Sequence, residues 1–236
     1  TDEEINAETH FPCMDVTGVW KDCFDPAKKE APGKGTVVAV IDTGVDYTHK
    51  DLADNIWVNE GEIPGNGIDD DGNGYVDDVH GVDFVEGDSD PMDEHGHGTH
   101  VAGIIAMTPG NGGGVGVAYG AKIMCVRAGQ ANGSFASTDI AKAIKYAADN
   151  GADVINMSFG GTGRSYLVES ALQDAFPSCV LVAAAGNDGL PTTDAKQAGY
   201  LFTEDIYPAG YKYVIGVMAT DNNKSLAYFS NWDFKE

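Results

Sequence analysis

Residues 36–46 read TVVAVIDTGVD, and this stretch decides the fold. Residues 37–41 are all β-branched or small and apolar, which is typical of a strand buried on both faces of a parallel sheet. Asp42 ends this strand, just before a turn that contains Gly44. Functional groups of open α/β sheets gather at the carboxyl ends of the strands. We therefore predict that Asp42 lies at a functional edge of a parallel sheet.

A cluster of histidines follows in residues 93–103, which read DEHGHGTHVAG. Glycines beside a histidine allow another backbone or a substrate to approach closely. The apolar residues 104–107 that come next predict a buried helix that begins at this cluster. A carboxylate such as that of Asp42 can accept the N–H of an imidazole, which fixes the tautomer of the ring and stabilises its charged form. Taken alone, the cluster is as compatible with ordinary loop histidines or ligands of a structural metal as it is with catalytic residues.

Strands and helices alternate along the rest of the chain. The sequence predicts strands at residues 121–127, 153–158, 178–185 and 213–218, and helices at residues 16–20, 97–107, 138–151 and 165–176. Thr138 is expected to be the N-cap of its helix, and Gly151 the residue after its C-cap. The alternation predicts an α/β fold with a mostly parallel sheet covered by helices on both faces. Since we find no repeat and no linker, we expect a single domain over residues 1–236.

The chain is strongly acidic, with 37 Asp and Glu residues against 14 Lys and Arg residues and a net charge of −23. This balance argues against nucleic acid and anionic membrane surfaces as partners, because both are negatively charged. It agrees with the binding of cations. The sequence has no apolar run of about 18 residues or more, so no transmembrane helix is expected.

Much of the acidity lies in an insertion at residues 53–94, which contains the stretch NGIDDDGNGYVDD at residues 66–78. Calcium prefers about six to eight oxygen ligands, and closely spaced carboxylates in glycine turns supply them. The spacing is that of an EF-hand loop when Asp69 is counted as the first position. Asp71, Asn73 and Asp77 then fall at the third, fifth and ninth positions. Gly74 falls at the sixth position, where an EF-hand loop has its glycine.

This stretch is not a complete EF-hand, because its twelfth position is His80 instead of a glutamate. Tyr75 and Asp78 are further candidate ligands, and the missing carboxylate is expected from one of three acids, Glu60, Glu62 or Asp83. A solvated acidic turn is the alternative interpretation. We favour calcium because so many neighbouring carboxylates repel one another unless a cation neutralises them.

Four motifs together resemble the subtilisin-like serine proteases, the subtilase family. They are VIDTGVDYTHKDL at residues 40–52, HGTHVAG at 97–103, NMSFGG at 156–161 and AAGNDG at 184–189. The resemblance implies a three-layer fold with a twisted, mostly parallel sheet. It also implies a serine endopeptidase that hydrolyses peptide bonds, with Asp42 as the aspartate of an Asp-His-Ser triad and His97 as its general base.

The nucleophile of the family lies in a GTSMA motif that opens a helix, and this sequence reaches Glu236 before any such motif. We therefore expect a further C-terminal segment to carry the serine, and the 236-residue chain alone to be inactive. Members of the family are usually secreted with a pro-segment. By resemblance we expect a secreted or extracellular protein whose partners are polypeptide substrates and its own pro-segment.

The resemblance also implies the remaining parts of the site. Asn187 would donate its side-chain amide to the oxyanion, although its local sequence alone favours a left-handed turn residue. The substrate would bind as an added strand between two walls. These walls are Ala128, Gly129 and Gln130 on one side, and Ser158, Phe159 and Gly160 on the other. Phe159 has a competing interpretation as a core residue.

A second calcium site is implied by analogy at Asp51 and the loop around Asn111. A helix-capping aspartate and a turn asparagine explain these two residues equally well. The four cysteines allow three pairings. The family topology separates the strands of Cys125 and Cys179 by two others, about 10 Å or more, which is too far for a disulfide. A bridge between Cys13 and Cys23 stays open, because it depends on an oxidising compartment.

Three other functions compete with the protease. The chain could be a pseudoprotease or a split subunit whose triad another chain completes or leaves incomplete. A dinucleotide-binding enzyme has the same fold class, but its GxGxxG motif should follow the first strand, which here runs into Asp42-Thr43-Gly44. A zinc hydrolase is disfavoured because histidines two residues apart, such as His95 and His97, do not share a helix face. His100 would be its third ligand.

Overall fold

A computed structural model of the chain describes residues 8, 11–23, 30–191 and 205–232. Within these residues, six strands form one sheet in the order β2-β3-β1-β4-β5-β6, and every strand pairing is parallel. The strands are β1 Val37–Asp42, β2 Gly81–Asp83, β3 Lys122–Arg127, β4 Val154–Met157, β5 Val180–Ala184 and β6 Ile215–Val217. The helices are α1 Phe11–Met14, α2 Val16–Cys23, α3 His97–Ala106, α4 Ser137–Asp149 and α5 Tyr166–Ala175, with a 3-10 turn at Ala53–Asn55.

Strand β1 lies inside the sheet, as the sequence predicts. It pairs with β3 on one side and with β4 on the other, and its residues 38–42 are all buried. Its hydrophobic residues contact helices on both faces. Val40 packs in the cluster that includes Ala102 of α3, whereas Ile41 packs in the larger cluster of α4 and α5. This confirms the predicted α/β fold with helices on both faces of a mostly parallel sheet.

The N-cap of helix α4 lies two residues earlier than predicted. Its N-cap is Ala136, and no side chain caps its first turn. Thr138 lies inside the helix, and its hydroxyl donates a hydrogen bond to the Asp139 carboxylate at 3.3 Å instead of accepting one from a backbone amide. The predicted end is confirmed, because Gly151 follows the C-cap Asn150 with a φ of +85°.

The acidic insertion contributes a strand that the sequence did not reveal. Strand β2 has three residues and forms the edge of the sheet beside β3. Such a short segment gives no readable period. Gly81 makes the pairing sterically feasible, since a Cβ at this position would lie 1.7 Å from the carbonyl oxygen of Cys125.

The sheet order places Cys125 in β3 and Cys179 next to β5, with β1 and β4 between them, and both thiols are free. This confirms that these two cysteines do not pair. The Cys13 thiol is also free and donates a hydrogen bond to the carbonyl oxygen of Asn222 at 3.2 Å. The side chain of Cys23 lies outside the described part of the chain. None of the described helices combines the length and the apolar character that crossing a membrane requires.

Candidate active site

Asp42 and His97 meet at the carboxyl edge of the sheet. Asp42 is the last residue of β1 and fully buried, and His97 is the first residue of α3. The His97 Nδ1 atom lies 2.8 Å from the Asp42 Oδ1 atom, which also accepts a hydrogen bond from the Thr43 amide at 2.7 Å. Burial raises the pKa of the Asp42 carboxyl, and the hydrogen bonds from His97 and Thr43 partly offset this effect. The predicted acid–imidazole pair is therefore formed.

The other side of the imidazole is open. The His97 side chain is 44% exposed, and its Nε2 atom makes no hydrogen bond with the described residues. With Nδ1 bound to a carboxylate, Nε2 is free to exchange a proton with a group that approaches from solvent. His95 and His100 are both exposed, and the ring centroids of His95 and His97 are 6.3 Å apart.

The entrance to α3 is held by Asp93, a residue to which the sequence analysis gave no role. Its Oδ1 atom accepts hydrogen bonds from the Thr43 hydroxyl and from the amides of His95 and Gly96, at 2.8–2.9 Å. Its Oδ2 atom accepts from the amide and the hydroxyl of Thr99. Burial alone would raise the pKa of the Asp93 carboxyl, but the hydrogen bonds from Thr99 and the amides outweigh it and lower the pKa. Its position at the start of the histidine cluster was the available signal.

Close contact between α3 and β1 depends on glycine. A Cβ added at Gly98 would lie 2.0 Å from the carbonyl oxygen of Gly44. The Gly98 amide also donates a hydrogen bond to the Thr43 hydroxyl at 3.1 Å. The close backbone approach predicted from the glycines of this cluster is therefore observed, and it brings His97 within reach of Asp42.

The two predicted substrate walls lie at the same edge. The amides of Ala128 and Gly129 both donate to the carbonyl oxygen of Asp42 at 3.0 Å, which fixes the chain as it leaves β3. The ring of Phe159, which belongs to the other wall, stacks on the ring of Phe135, with centroids 4.1 Å apart. Both rings also pack against the large hydrophobic cluster, as the core interpretation of Phe159 expects, and its role as a substrate wall stays a prediction.

Beyond this stacked pair, Ser158 and Gly160 follow β4, and Gln130 begins a tight turn through a hydrogen bond from its amide to the Ser134 carbonyl. The Ser158 hydroxyl accepts a hydrogen bond from the Asn156 side chain at 2.9 Å. Asn187 is exposed after β5 and lines a cavity of about 390 Å³ together with Ser158. The role of Asn187 toward an oxyanion stays a prediction.

In the acidic insertion, three carboxylates converge. Oxygen atoms of Glu62, Asp69 and Asp71 all lie within 4.8 Å of one another. Asp69 is wrapped by the amides of residues 72–74, which donate to its two oxygens at 2.8–3.1 Å. Gly74 has a φ of +97°, as a sharp turn at the sixth position of the loop requires. Among the three acids that the sequence left open, Glu62 joins this cluster.

The remaining predicted ligands of this loop have different surroundings. The Asn73 side chain contacts Asp71, and its Oδ1 atom accepts the Tyr75 amide at 2.8 Å. The Asp77 carboxylate accepts hydrogen bonds from the amides of residues 66 and 67. Asp78 is fully buried and accepts hydrogen bonds from Tyr146, Asn59 and Asn73. Neither Asp77 nor Asp78 is part of the cluster formed by Glu62, Asp69 and Asp71, and their role as calcium ligands stays a prediction.

The two residues of the second predicted cation site, Asp51 and Asn111, are in direct contact. The Asn111 side-chain amide donates to the Asp51 Oδ1 atom at 2.6 Å, and Asp51 is only 6% exposed. Gly113 approaches so closely that a Cβ there would lie 2.7 Å from the Asp51 Oδ2 atom. The structure therefore brings together the two residues that the sequence analysis paired.

A model of the Subtilase family matches residues 33–234. The chain is 43% identical over 200 residues to the "Thermophilic serine proteinase" of Bacillus sp. (strain AK1), covering 84% of this chain and 41% of that relative. It is 36% identical over 218 residues to "Thermitase" of Thermoactinomyces vulgaris, covering 89% and 66% of the two chains. The crystal structure of a cold adapted subtilisin-like serine proteinase aligns with a TM-score of 0.64 at 30% identity, covering 86% of this chain and 61% of the other.

This chain therefore spans less than two thirds of the length of each of these relatives. The family match nevertheless covers β1 with Asp42, α3 with His97 and both walls of the edge. With the acid–imidazole pair formed and the family model matched over residues 33–234, the chain belongs to the subtilase family.

Proposed function

We propose that the protein that contains this chain is a serine endopeptidase that hydrolyses peptide bonds through an acyl-enzyme. The observation that carries this proposal is the hydrogen bond of 2.8 Å between Asp42 and His97, with the opposite nitrogen of the imidazole facing solvent. Membership of the subtilase family supports the same reaction.

In this mechanism, His97 Nε2 takes the proton of a serine hydroxyl while the serine oxygen attacks the peptide carbonyl. Asp42 holds the imidazole through Nδ1 and stabilises its charged form. His97 then gives the proton to the amine that leaves, and water hydrolyses the acyl-enzyme through the same base. Asn187 donates its amide to the oxyanion that develops in each step.

We infer that the serine comes from a segment outside residues 1–236, which packs on the face of the sheet near β5 and β6. Parallel sheets are normally covered on both faces. On this face Val180, Ile215 and Val217 are each about half exposed, and no helix within the described residues covers them. The cavity lined by Asn187 and Ser158 continues along Val217, which supports entry of that segment beside the candidate active site.

The substrate binds as an added strand between the walls at residues 128–130 and 158–160. Its backbone hydrogen bonds supply affinity, and the cavities between the walls select side chains. The stacked rings of Phe135 and Phe159 support this arrangement, because Phe135 also forms a β-bridge with Gly129 of the first wall. The expected substrates are polypeptides.

The acidic insertion binds calcium, with ligands from Glu62, Asp69 and Asp71, the Asn73 side chain and the Tyr75 carbonyl. Three carboxylates whose oxygens lie within 4.8 Å of one another repel strongly without a cation, which supports this assignment. Calcium here offsets most of the charge of the three clustered carboxylates and supplies no step of the reaction. Asp51 and Asn111, whose side chains are in contact, form a second, smaller site. Membership of the subtilase family supports our proposal that the protein is secreted and is made with a pro-segment.

Labelling with a serine-directed fluorophosphonate tests the proposal on the intact protein. We expect one labelled peptide, located outside residues 1–236. His97→Gln should abolish labelling, whereas His100→Gln, an exposed histidine of the same helix, should leave it unchanged. If the wild-type protein takes no label, it is a pseudoprotease. If His97→Gln is labelled as fast as the wild type, His97 is not the base.

A further inference from the structure

A buried guanidinium lies beside the candidate active site, and the mechanism above gives it no role. Arg127 is the last residue of β3 and is 4% exposed. Its Nη1 atom lies 3.0 Å from Asp83 Oδ2, and its Nη2 atom lies 2.8 Å from Glu94 Oε2. We propose that Arg127 is a positioning residue that ties the turn carrying His97 to the sheet. This inference rests on the proposed peptide hydrolysis.

The backbone places Arg127 at the centre of the carboxyl edge. In the strand register it lies opposite Asp42 of β1 on one side and opposite Asp83 of β2 on the other. Its carbonyl oxygen accepts the Phe84 amide at 2.9 Å, and the next amide, that of Ala128, donates to the Asp42 carbonyl at 3.0 Å. The ends of three strands are therefore fixed relative to one another at Arg127.

The side chain of Arg127 connects these strand ends to the turn that precedes α3. Cys125, two residues earlier in the strand, packs in the cluster beneath α3, so the Arg127 side chain leaves the sheet on the same face. There it meets Glu94, three residues before His97. Gly96, between them, has a φ of +95°, a conformation that glycine adopts and leaves easily. A contact at Glu94 restricts the motion that this glycine permits.

Stability alone is a poor explanation for this ion triad. Asp83 is 1% exposed, and the Nε–H of Arg127 is buried with no partner within the described residues. Buried ion pairs often stabilise no more than apolar residues of similar volume, because desolvation offsets their attraction. Burial also raises the pKa of the Asp83 carboxyl, despite its hydrogen bonds and its ion pair with Arg127. What the triad provides is a defined geometry, since the planar guanidinium of Arg127 contacts one carboxylate with each of its two Nη atoms.

The test compares Arg127→Lys, Glu94→Gln and the double variant in the intact protein. A lysine retains the charge but has no planar fork to hold both carboxylates, so Arg127→Lys and Glu94→Gln break the same contact. We expect each to lower kcat per fluorophosphonate-titrated site about tenfold, with KM changed less than about twofold. The double variant should fall no further than either single variant.

A spectroscopic measurement separates this inference from the proposed function. In the low-field proton NMR spectrum, the Nδ1–H resonance of His97 should shift or broaden in Glu94→Gln, whether or not the protein hydrolyses peptides. The matched control is Glu169→Gln, which breaks another Arg–Glu pair with the same 2.8 Å distance, that of Arg164, and should change neither kcat nor the resonance.

An unchanged His97 resonance and an unchanged kcat per titrated site in Glu94→Gln would overturn the positioning role. The Glu94 side chain is 59% exposed, so this variant is expected to fold even where Arg127→Lys does not. A wild-type protein that neither takes the label nor cleaves peptides refutes the proposed function instead, and the resonance still decides the role of Arg127.

Discussion

Replacing Gly98 by alanine should separate His97 from Asp42. The added Cβ would lie 2.0 Å from the Gly44 carbonyl oxygen and 2.9 Å from the Asp42 Cβ atom. Ordinary van der Waals contact begins at 3.4 Å, so the first turn of α3 must move away from β1 by about 1.4 Å. The opposing atom belongs to the backbone and cannot rotate aside. A displacement of this size breaks the hydrogen bond of 2.8 Å between Nδ1 and Oδ1.

The expected loss of stability is about 1–3 kcal/mol, as for other insertions of a carbon atom into a close-packed contact. The expected loss in kcat is on the order of 100-fold, because a misplacement of about 1 Å at a reacting group has that effect. Urea unfolding of the intact protein measures the first quantity. Peptide hydrolysis, normalised to the number of fluorophosphonate-reactive sites, measures the second.

Gly103→Ala is the matched control, in the same helix and five residues closer to its end. The nearest atom to a Cβ there is the flexible Met107 Cε at 3.4 Å, so the alanine fits. Alanine stabilises a helix interior by about 1 kcal/mol relative to glycine. If Gly98→Ala were as stable and as active as Gly103→Ala, the contact between α3 and β1 could not be what positions His97.

Three further outcomes follow from the described contacts. Asp42→Asn should lower kcat by about 10⁴-fold in peptide hydrolysis, because the amide favours the wrong tautomer of His97. Calcium at about 100 times its Kd should stabilise the protein by about 2.7 kcal/mol in urea unfolding, and Asp69→Asn should abolish this gain whereas the exposed Asp54→Asn keeps it. The raised pKa of Asp83 means that the folded state holds this proton more tightly than the unfolded state, so its contribution to stability is lost as pH rises from about 3.8. The unfolding free energy of Asp83→Asn minus that of the wild type should therefore increase with pH over this range, and a flat difference would contradict the assignment.

Local sequence was sufficient where the signal is local. The run of apolar residues at 37–41 predicted a doubly buried strand, and β1 is one. The ends of the helices were less accurate because capping depends on single hydrogen bonds. Thr138 has the side chain of an N-cap, yet its hydroxyl bonds to Asp139, and the helix begins at Ser137 without a side-chain cap. Ser165 fills the N-cap position of α5, where its hydroxyl accepts the Val168 amide.

The choice among acidic residues could not be made from the sequence. Glu60, Glu62 and Asp83 were equivalent candidates for the missing ligand of the calcium loop, because all three flank it. Folding distinguishes them through partners distant in the chain. Glu62 becomes buried and accepts the amides of residues 70, 71 and 77, whereas Asp83 is drawn to Arg127 at the end of the neighbouring strand. The sequence shows how many carboxylates lie near the loop, but the partner of each carboxylate depends on tertiary contacts that the sequence alone does not reveal.

The carboxyl edge shows how a chain of charge −23 accommodates several acids around one imidazole. Asp93 is satisfied mainly by backbone amides and hydroxyls, which are rigid and keep their dipoles at every pH. Glu94 depends instead on the guanidinium of Arg127. An amide network can be altered only by moving the backbone, but an ion pair with a carboxylate that is 59% exposed weakens as salt screens it. The turn that carries His97 is therefore held by two kinds of contact. The hydrogen bonds of Asp93 are independent of salt, whereas the ion pair of Glu94 with Arg127 weakens as the salt concentration rises.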